Sequence, residues 1–146
     1  FKDSHVPQCP ANKFVMFKND FTEEELKKYE KIINSEEYRE IPRNSNKYYY
    51  LARFYEMLGG ISDKEIGKTY FNSYHYYSEN KETKREALQK GISYLEKAEK
   101  KDYEVMWNLA NLYSEAGEYD KMNKSASPYG DGKACKKILE FLKGIL

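Results

Sequence analysis

The sequence predicts an all-α fold of antiparallel helical hairpins preceded by a short extended arm. Three observations carry that expectation. Apolar residues recur at helical spacing in segment after segment, as in Leu26, Tyr29, Ile32 and Ile33. The segments open on capping residues: Thr22 and Ser62 each precede a Glu by three positions, as a capping box requires. Two segments also align without a gap, Tyr50–Gly59 on Asn108–Gly117, so that Leu51, Ala52, Tyr55 and Gly59 stand opposite Leu109, Ala110, Tyr113 and Gly117.

The elements follow in order along one domain, 1–146. Residues 1–20 lack a helical pattern; Pro7 and Pro10 bracket Cys9, and Lys13–Phe17 reads as a short strand or extended arm. The first helix starts after Thr22 and runs to about Ser35, and 36–43 is a helical turn or connector closed by Pro42, Asn44 and Ser45. A strong helix opens near Asn46, carries Tyr49, Leu51, Ala52, Tyr55 and Leu58, and stops at Gly59-Gly60. The next opens at Ser62 with Ile66, Tyr70, Phe71, Tyr74 and Tyr77, and another runs from the Asn80 break to about Lys100 with Ala87, Leu88, Gly91, Tyr94, Leu95 and Ala98. Met106–Ala116 is a further helix, which Gly117 can end because glycine tolerates a left-handed backbone. Tyr119–Lys124 begins a partner helix, 125–132 with Pro128 and two glycines is a loop, and a terminal helix carries Ala134, Ile138, Leu139, Phe141, Leu142 and Ile145 as a wide apolar stripe.

Charge and composition narrow the function. The formal net charge is +1 with signs well mixed, which is not the clustered basic excess of a nucleic-acid binder. No apolar run approaches the roughly 20 residues of a membrane span. Fifteen Tyr, seven Phe and one Trp supply the large buried areas that a polar, charge-rich chain needs to fold. The chain starts at Phe1, as expected of a processed protein or a piece of a longer one. Cys9 and Cys135 are expected as free thiols in a bacterial cytoplasm; export after removal of a signal peptide would allow them to pair.

No constellation of catalytic or metal-binding residues emerges. Zinc needs four ligands, and His5 with Cys9 supplies two at most, with His75 and Cys135 remote in sequence. Cys135 reads as a small core residue of an amphipathic helix. Glu82 and Glu86 with Lys90, and Glu96 with Lys100, read as solvated surface pairs. Gly130-Asp131-Gly132 lacks the pattern of a phosphate loop. The aromatics Tyr48-Tyr49-Tyr50, and Tyr70, Phe71, Tyr74, His75, Tyr76 and Tyr77, encircle their helices; one face packs inward and the other either glues layers together or meets a partner.

The run Leu109, Ala110, Tyr113, Gly117, Tyr119 resembles the first helix and turn of a tetratricopeptide repeat, and Tyr94-Leu95-Glu96-Lys97-Ala98 looks like the end of a second repeat helix. Leu51 and Leu109 lie 58 residues apart, which is not a multiple of that family's period of about 34. The stretch Cys9–Phe21 is similar to the opening of a bacterial domain-of-unknown-function family that joins a Cys-Pro-x-Cys knuckle to tetratricopeptide-like helices; here Asn12 stands where the second Cys would be, so zinc is not expected. The resemblance implies a non-enzymatic protein- or peptide-binding module with a concave helical groove, without cofactor, nucleic-acid or membrane partner. On that groove it puts Tyr49, Arg53 and Glu56 from one segment and Trp107, Asn111 and Ser114 from the other, with Asn111 holding peptide backbone and Arg53 pairing with a carboxylate. The alternatives are an enzyme or small-molecule binder with an aromatic pocket around His75 as acid–base group, and a structural subunit of a larger complex.

Overall fold

The computed structural model describes residues 6–117, and these are all-α. Six helices follow one another: α1 (Glu23–Ile33), α2 (Glu36–Arg39), α3 (Lys47–Leu58), α4 (Asp63–His75), α5 (Lys81–Lys97) and α6 (Tyr103–Ala116). Each start is chemically specified. Thr22 and Glu25 form a reciprocal capping box on α1, and the side chains of Ser35, Asn46, Ser62, Asn80 and Asp102 each accept the N–H three residues on. Each such cap is worth about 1 kcal/mol. Gly117, with φ 74°, ends α6 in the left-handed conformation its sequence position suggested.

Side-chain contacts fix the helix directions. Asn46 at the start of α3 donates to the carbonyl of Ser73 near the end of α4, at 2.9 Å, so these two helices are antiparallel. Gly67 early in α4 faces Leu95 late in α5, and Gly91 faces Tyr70 and Phe71, so α4 and α5 are antiparallel too. The bridges one helix further on run the same way along the chain: Tyr49 to Glu86 and Glu56 to Tyr94 join α3 and α5, while Lys64 to Asp102 and His75 to Asn111 join α4 and α6. The helices thus alternate between two layers, α3 with α5 and α4 with α6.

The core forms two clusters. Leu95, Val105, Leu109 and Leu112 centre one, at the α5–α6 end. The other gathers Tyr29, Tyr38, Tyr49, Phe54, Ile66 and Tyr70 around α3. The α4–α5 seam is the closest approach: a Cβ on Gly67 would lie 2.7 Å from Leu95 Cγ and 3.1 Å from its backbone nitrogen. Ala52 and Ala110, the small residues that align between the two similar segments, are both buried.

The structure refines some expectations and corrects others. Lys13–Phe17, expected as a short strand or extended arm, takes part in a single antiparallel bridge at Val15. Cys9 N–H donates to Phe14 O, Met16 N–H donates to Pro7 O, and Gln8 and Val15 form an antiparallel bridge. That small hairpin drives Phe14, Phe17 and Phe21 against Tyr29 and Phe54, with ring centroids 5.2–6.4 Å apart across the set. Edge-to-face geometry of this kind adds to what the rings gain by burial. Tyr48, Tyr49 and Tyr50 are all buried, which is the layer-gluing one of the two roles expected for them. Helix α4 ends at His75, which leaves Tyr76 and Tyr77 beyond it. Leu26 is 49% exposed, off the face on which Tyr29 packs. The expectations for Tyr119–Lys124, the 125–132 loop, the terminal helix, His5 and Cys135 lie outside the described residues.

Candidate functional site

Tyr49, Arg53 and Glu56 follow one another at helical spacing on α3, and α5 offers Glu86, Lys90 and Tyr94 at successive four-residue steps. Because α3 and α5 run in the same direction, the two rows meet side by side. Glu56 is the hub. Its Oε1 accepts from Tyr70 OH at 2.5 Å, and its Oε2 accepts from Tyr94 OH at 2.6 Å. Lys90 Nζ reaches both oxygens at 3.3 Å, and Arg53 Nε lies 3.3 Å from Oε1. Glu86 forms a second node, accepting from Tyr49 OH at 2.5 Å and pairing with Lys90 at 3.1 Å. Arg53 closes the circuit, donating to Tyr49 OH at 3.4 Å and to Glu37 Oε1 of α2 at 3.1 Å.

Burial sets the electrostatics. Desolvation raises Tyr70 well above the ordinary phenol range, and the hydrogen bond it donates to Glu56 pushes the same way. Tyr49 and Tyr94 are each pushed up to about 12, again by burial first and by their carboxylate acceptors second. All three therefore remain donors. Burial acts to raise Glu86, but the hydrogen bonds from Tyr49 and Lys90 outweigh it and hold the carboxyl below its usual range. Three neutral phenols thus donate to carboxyl oxygens, and where the carboxyl is held ionised, as at Glu86, such a charge-assisted hydrogen bond belongs to the stronger class.

Exposure grades outward from this centre. The side chains of Arg53 and Glu56 are 19% exposed, those of Lys90 and Glu86 33% and 35%, and that of Glu37 65%. Tyr49 is buried and supports the face rather than presenting itself on it.

The residues nominated on α6 are elsewhere. Trp107, Asn111 and Ser114 are half-buried in the other layer. Asn111 Oδ1 lies 2.7 Å from His75 Nε2, and Tyr74 OH donates to Glu115 at 3.2 Å. The His75 ring rests against Phe71 and Tyr74, with centroids 4.5 and 5.1 Å away. Desolvation against these rings lowers its pKa, and the Asn111 hydrogen bond opposes this only in part. His75 is therefore neutral at pH 7 and, protonated on Nε2, donates to Asn111. The structure does not bring the two nominated triads onto one surface: α3 and α6 look alike in sequence but occupy different layers.

Sequence reasoning missed Tyr70, Lys90 and Tyr94 as members of the network and read Glu86–Lys90 as an ordinary solvated pair. The available signal was the Glu86–Lys90–Tyr94 row, a polar face that ends in an aromatic. Among the described residues no group of three or more His, Cys, Asp or Glu side chains is placed to hold a metal ion. Cys9 sits in the arm's turn, its thiol held below the ordinary value by the backbone N–H groups of Asn12 and Ala11.

No family model matches the chain, and no solved structure matches it. Over 57 residues it is 39% identical to a UDP-N-acetylglucosamine 2-epimerase of Campylobacter jejuni, a stretch covering 39% of this chain and 14% of that protein. Over 39 residues it is 41% identical to the protein of the same name from Escherichia coli K12, covering 27% of this chain and 10% of the other. The chain spans about a seventh or less of the length of the curated relatives it matches.

Proposed function

We propose that this is a non-enzymatic, tetratricopeptide-like module that binds a protein or peptide through the α3–α5 face centred on Arg53, Glu56, Glu86 and Lys90. The observation that carries this reading is a partly exposed set of two cations and two carboxylates anchored from beneath by Tyr49, Tyr70 and Tyr94. A face already fixed in geometry loses little conformational freedom on binding. The exchangeable contact is Arg53–Glu37, because Glu37 is 65% exposed and is the outermost of Arg53's partners. A carboxylate of the bound chain takes Glu37's place on the guanidinium. Trp107, Asn111 and Ser114 belong to a separate patch that this surface does not need.

The test is affinity capture of a partner followed by Arg53→Ala, Glu37→Ala and Trp107→Ala, with a thermal melt for each. Arg53→Ala should weaken binding by about 2 kcal/mol or more, as at other interface hot spots. Glu37→Ala should strengthen binding by removing the internal competitor. Unchanged binding by a folded Arg53→Ala variant rejects the surface.

A second reading rests on the short matches to UDP-N-acetylglucosamine 2-epimerases: the chain is part of a protein that acts on that nucleotide sugar. Turnover of UDP-N-acetylglucosamine by the protein would establish it, and no residue of the α3–α5 face is required for it. An acid–base role for His75 would require its bond to Asn111 to open first.

A further inference from the structure

Away from the α3–α5 network, α6 buries more of itself than α4 and α5 explain. Its Glu104, Asn111 and Glu115 reach α4 at Lys68, His75 and Tyr74. Its Leu112 meets α5 at Gly91, and Val105 and Leu109 share that side by the three- and four-residue steps of a helix. Met106, Ala110 and Tyr113 form a third row, turned by the same steps away from the α4 side and off the α5 side. Each of the three is nonetheless only 2% exposed. Ala110 makes the point most simply, because a single methyl cannot reach sideways to a neighbour and is buried only where something lies over it.

The layering says where the cover belongs, and the sequence says what it is. Helices alternate between two layers, so the place beside α6 and opposite α4 is that of the next helix in the α4–α6 layer. Beyond the turn at Gly117, Tyr119–Lys124 is short and half charged, whereas 133–146 carries Ala134, Ile138, Leu139, Phe141, Leu142 and Ile145 at helical spacing. Lys136, Lys137, Glu140 and Lys143 fall on the opposite side of that pattern. The row from Met106 to Tyr113 is about 10 Å long and fourteen residues of helix about 21 Å, so one such segment covers it. The residues between, 118–132, reach up to about 50 Å when extended and allow the return.

We propose that the α6 row of Met106, Ala110 and Tyr113 is a docking surface for the chain's own segment 133–146, seated with its apolar stripe inward and its lysines toward water. Both partners are apolar faces that are unfavourable in water alone, and their union removes both from it. The row is then occupied from within the chain and closed to a second copy or to another protein.

The full chain with p-benzoylphenylalanine in place of Phe141 tests this by irradiation and peptide mapping. The cross-link should join that position to α6 of the same chain, with Met106 the favoured acceptor because the benzophenone inserts readily at a methionine methyl. A link between two chains would assign the row to a second copy and overturn the proposal, as would a link to another helix or none. Oxidation of the full chain by dilute peroxide gives a second readout. Met16, 45% exposed, should react fast and Met106 slowly. With Leu139→Asp and Leu142→Asp combined, the Met106 rate should rise about tenfold or more, as local opening permits, while that of half-buried Met57 on α3 stays unchanged. An unchanged Met106 rate in that variant overturns the proposal. Equal acceleration of Met57 reports loosening of the whole fold, and the cross-link then decides.

Discussion

Helices α3 and α6 share the same four landmark residues, Leu-Ala, then Tyr, then Gly, yet they do different work. In both, the shared residues face the core: Leu51, Ala52 and Tyr55 on α3, and Leu109, Ala110 and Tyr113 on α6, are all buried. The difference lies in what stands between them. Around its landmarks α3 carries Tyr49 and Glu56, which tie it to α5 through phenol–carboxylate and ion-pair contacts, with Arg53 joining the two from within α3. Around its own, α6 carries Trp107, Asn111 and Glu115, and its bonds to α4 there go to His75 and Tyr74, while at its start Asp102 and Glu104 pair with Lys64 and Lys68. A repeated apolar pattern therefore specifies that a helix packs, while the intervening residues decide against which layer and through what chemistry.

Breaking the hub should produce the largest effect. Glu56→Ala strands the fully buried Tyr70 hydroxyl and leaves Arg53 and Lys90 without their shared carboxylate, and should cost about 3 kcal/mol in urea unfolding. The closest seam comes next. Gly67→Ala drives a methyl into Leu95, including its backbone nitrogen at 3.1 Å, and should cost about 2 kcal/mol despite alanine's better helix propensity. On the α6 side, Asn111→Ala removes one half-exposed hydrogen bond and should cost about 1 kcal/mol or less by the same measurement.

The pH dependence sharpens the contrast, because the α4–α6 layer holds a histidine whose proton affinity is lowered on folding. Burial holds His75 below its unfolded value of about 6.5. As pH falls, the unfolded chain takes up this proton first, so stability declines below about pH 6.5 and levels off once the folded-state value is passed. Melting curves of wild type and His75→Gln should diverge in this window and run parallel above it. The smallest effect belongs to Gly91→Ala. Its added methyl meets the end of the Leu112 side chain at 3.0 Å, a group able to shift, and the gain in helix propensity of about 1 kcal/mol offsets the crowding to leave the melting temperature nearly unchanged.

The helices were legible in the sequence because caps and apolar spacing are local. Asn46, Ser62, Asn80 and Gly117 act where their positions suggested. The arm's packing was not legible, since Phe14 and Phe17 signal only that an apolar surface exists somewhere to receive them. The hub was half legible. Arg53 and Glu56 were selected for outward binding, but Tyr70 and Tyr94 reach them only because α4 and α5 return alongside α3, a fact of tertiary contact that spacing within one helix does not encode. Likeness in sequence between α3 and α6 was mistaken for equivalence of place, because the landmark pattern records burial and carries no label for the layer.

The arm's hairpin has a consequence for the order in which the protein is made. Phe14 and Phe17 rest on Phe54, with centroids 5.5 and 5.8 Å apart, across nearly forty residues of intervening chain. During synthesis the arm and α1 leave the ribosome well before α3 exists to receive them. These phenylalanines must wait in water, or in the grip of a chaperone, until translation has passed Phe54 and the exit tunnel has released it. Ribosome-bound chains stalled before that point should be sensitive to protease in the arm, and those stalled after α3 has emerged should become resistant.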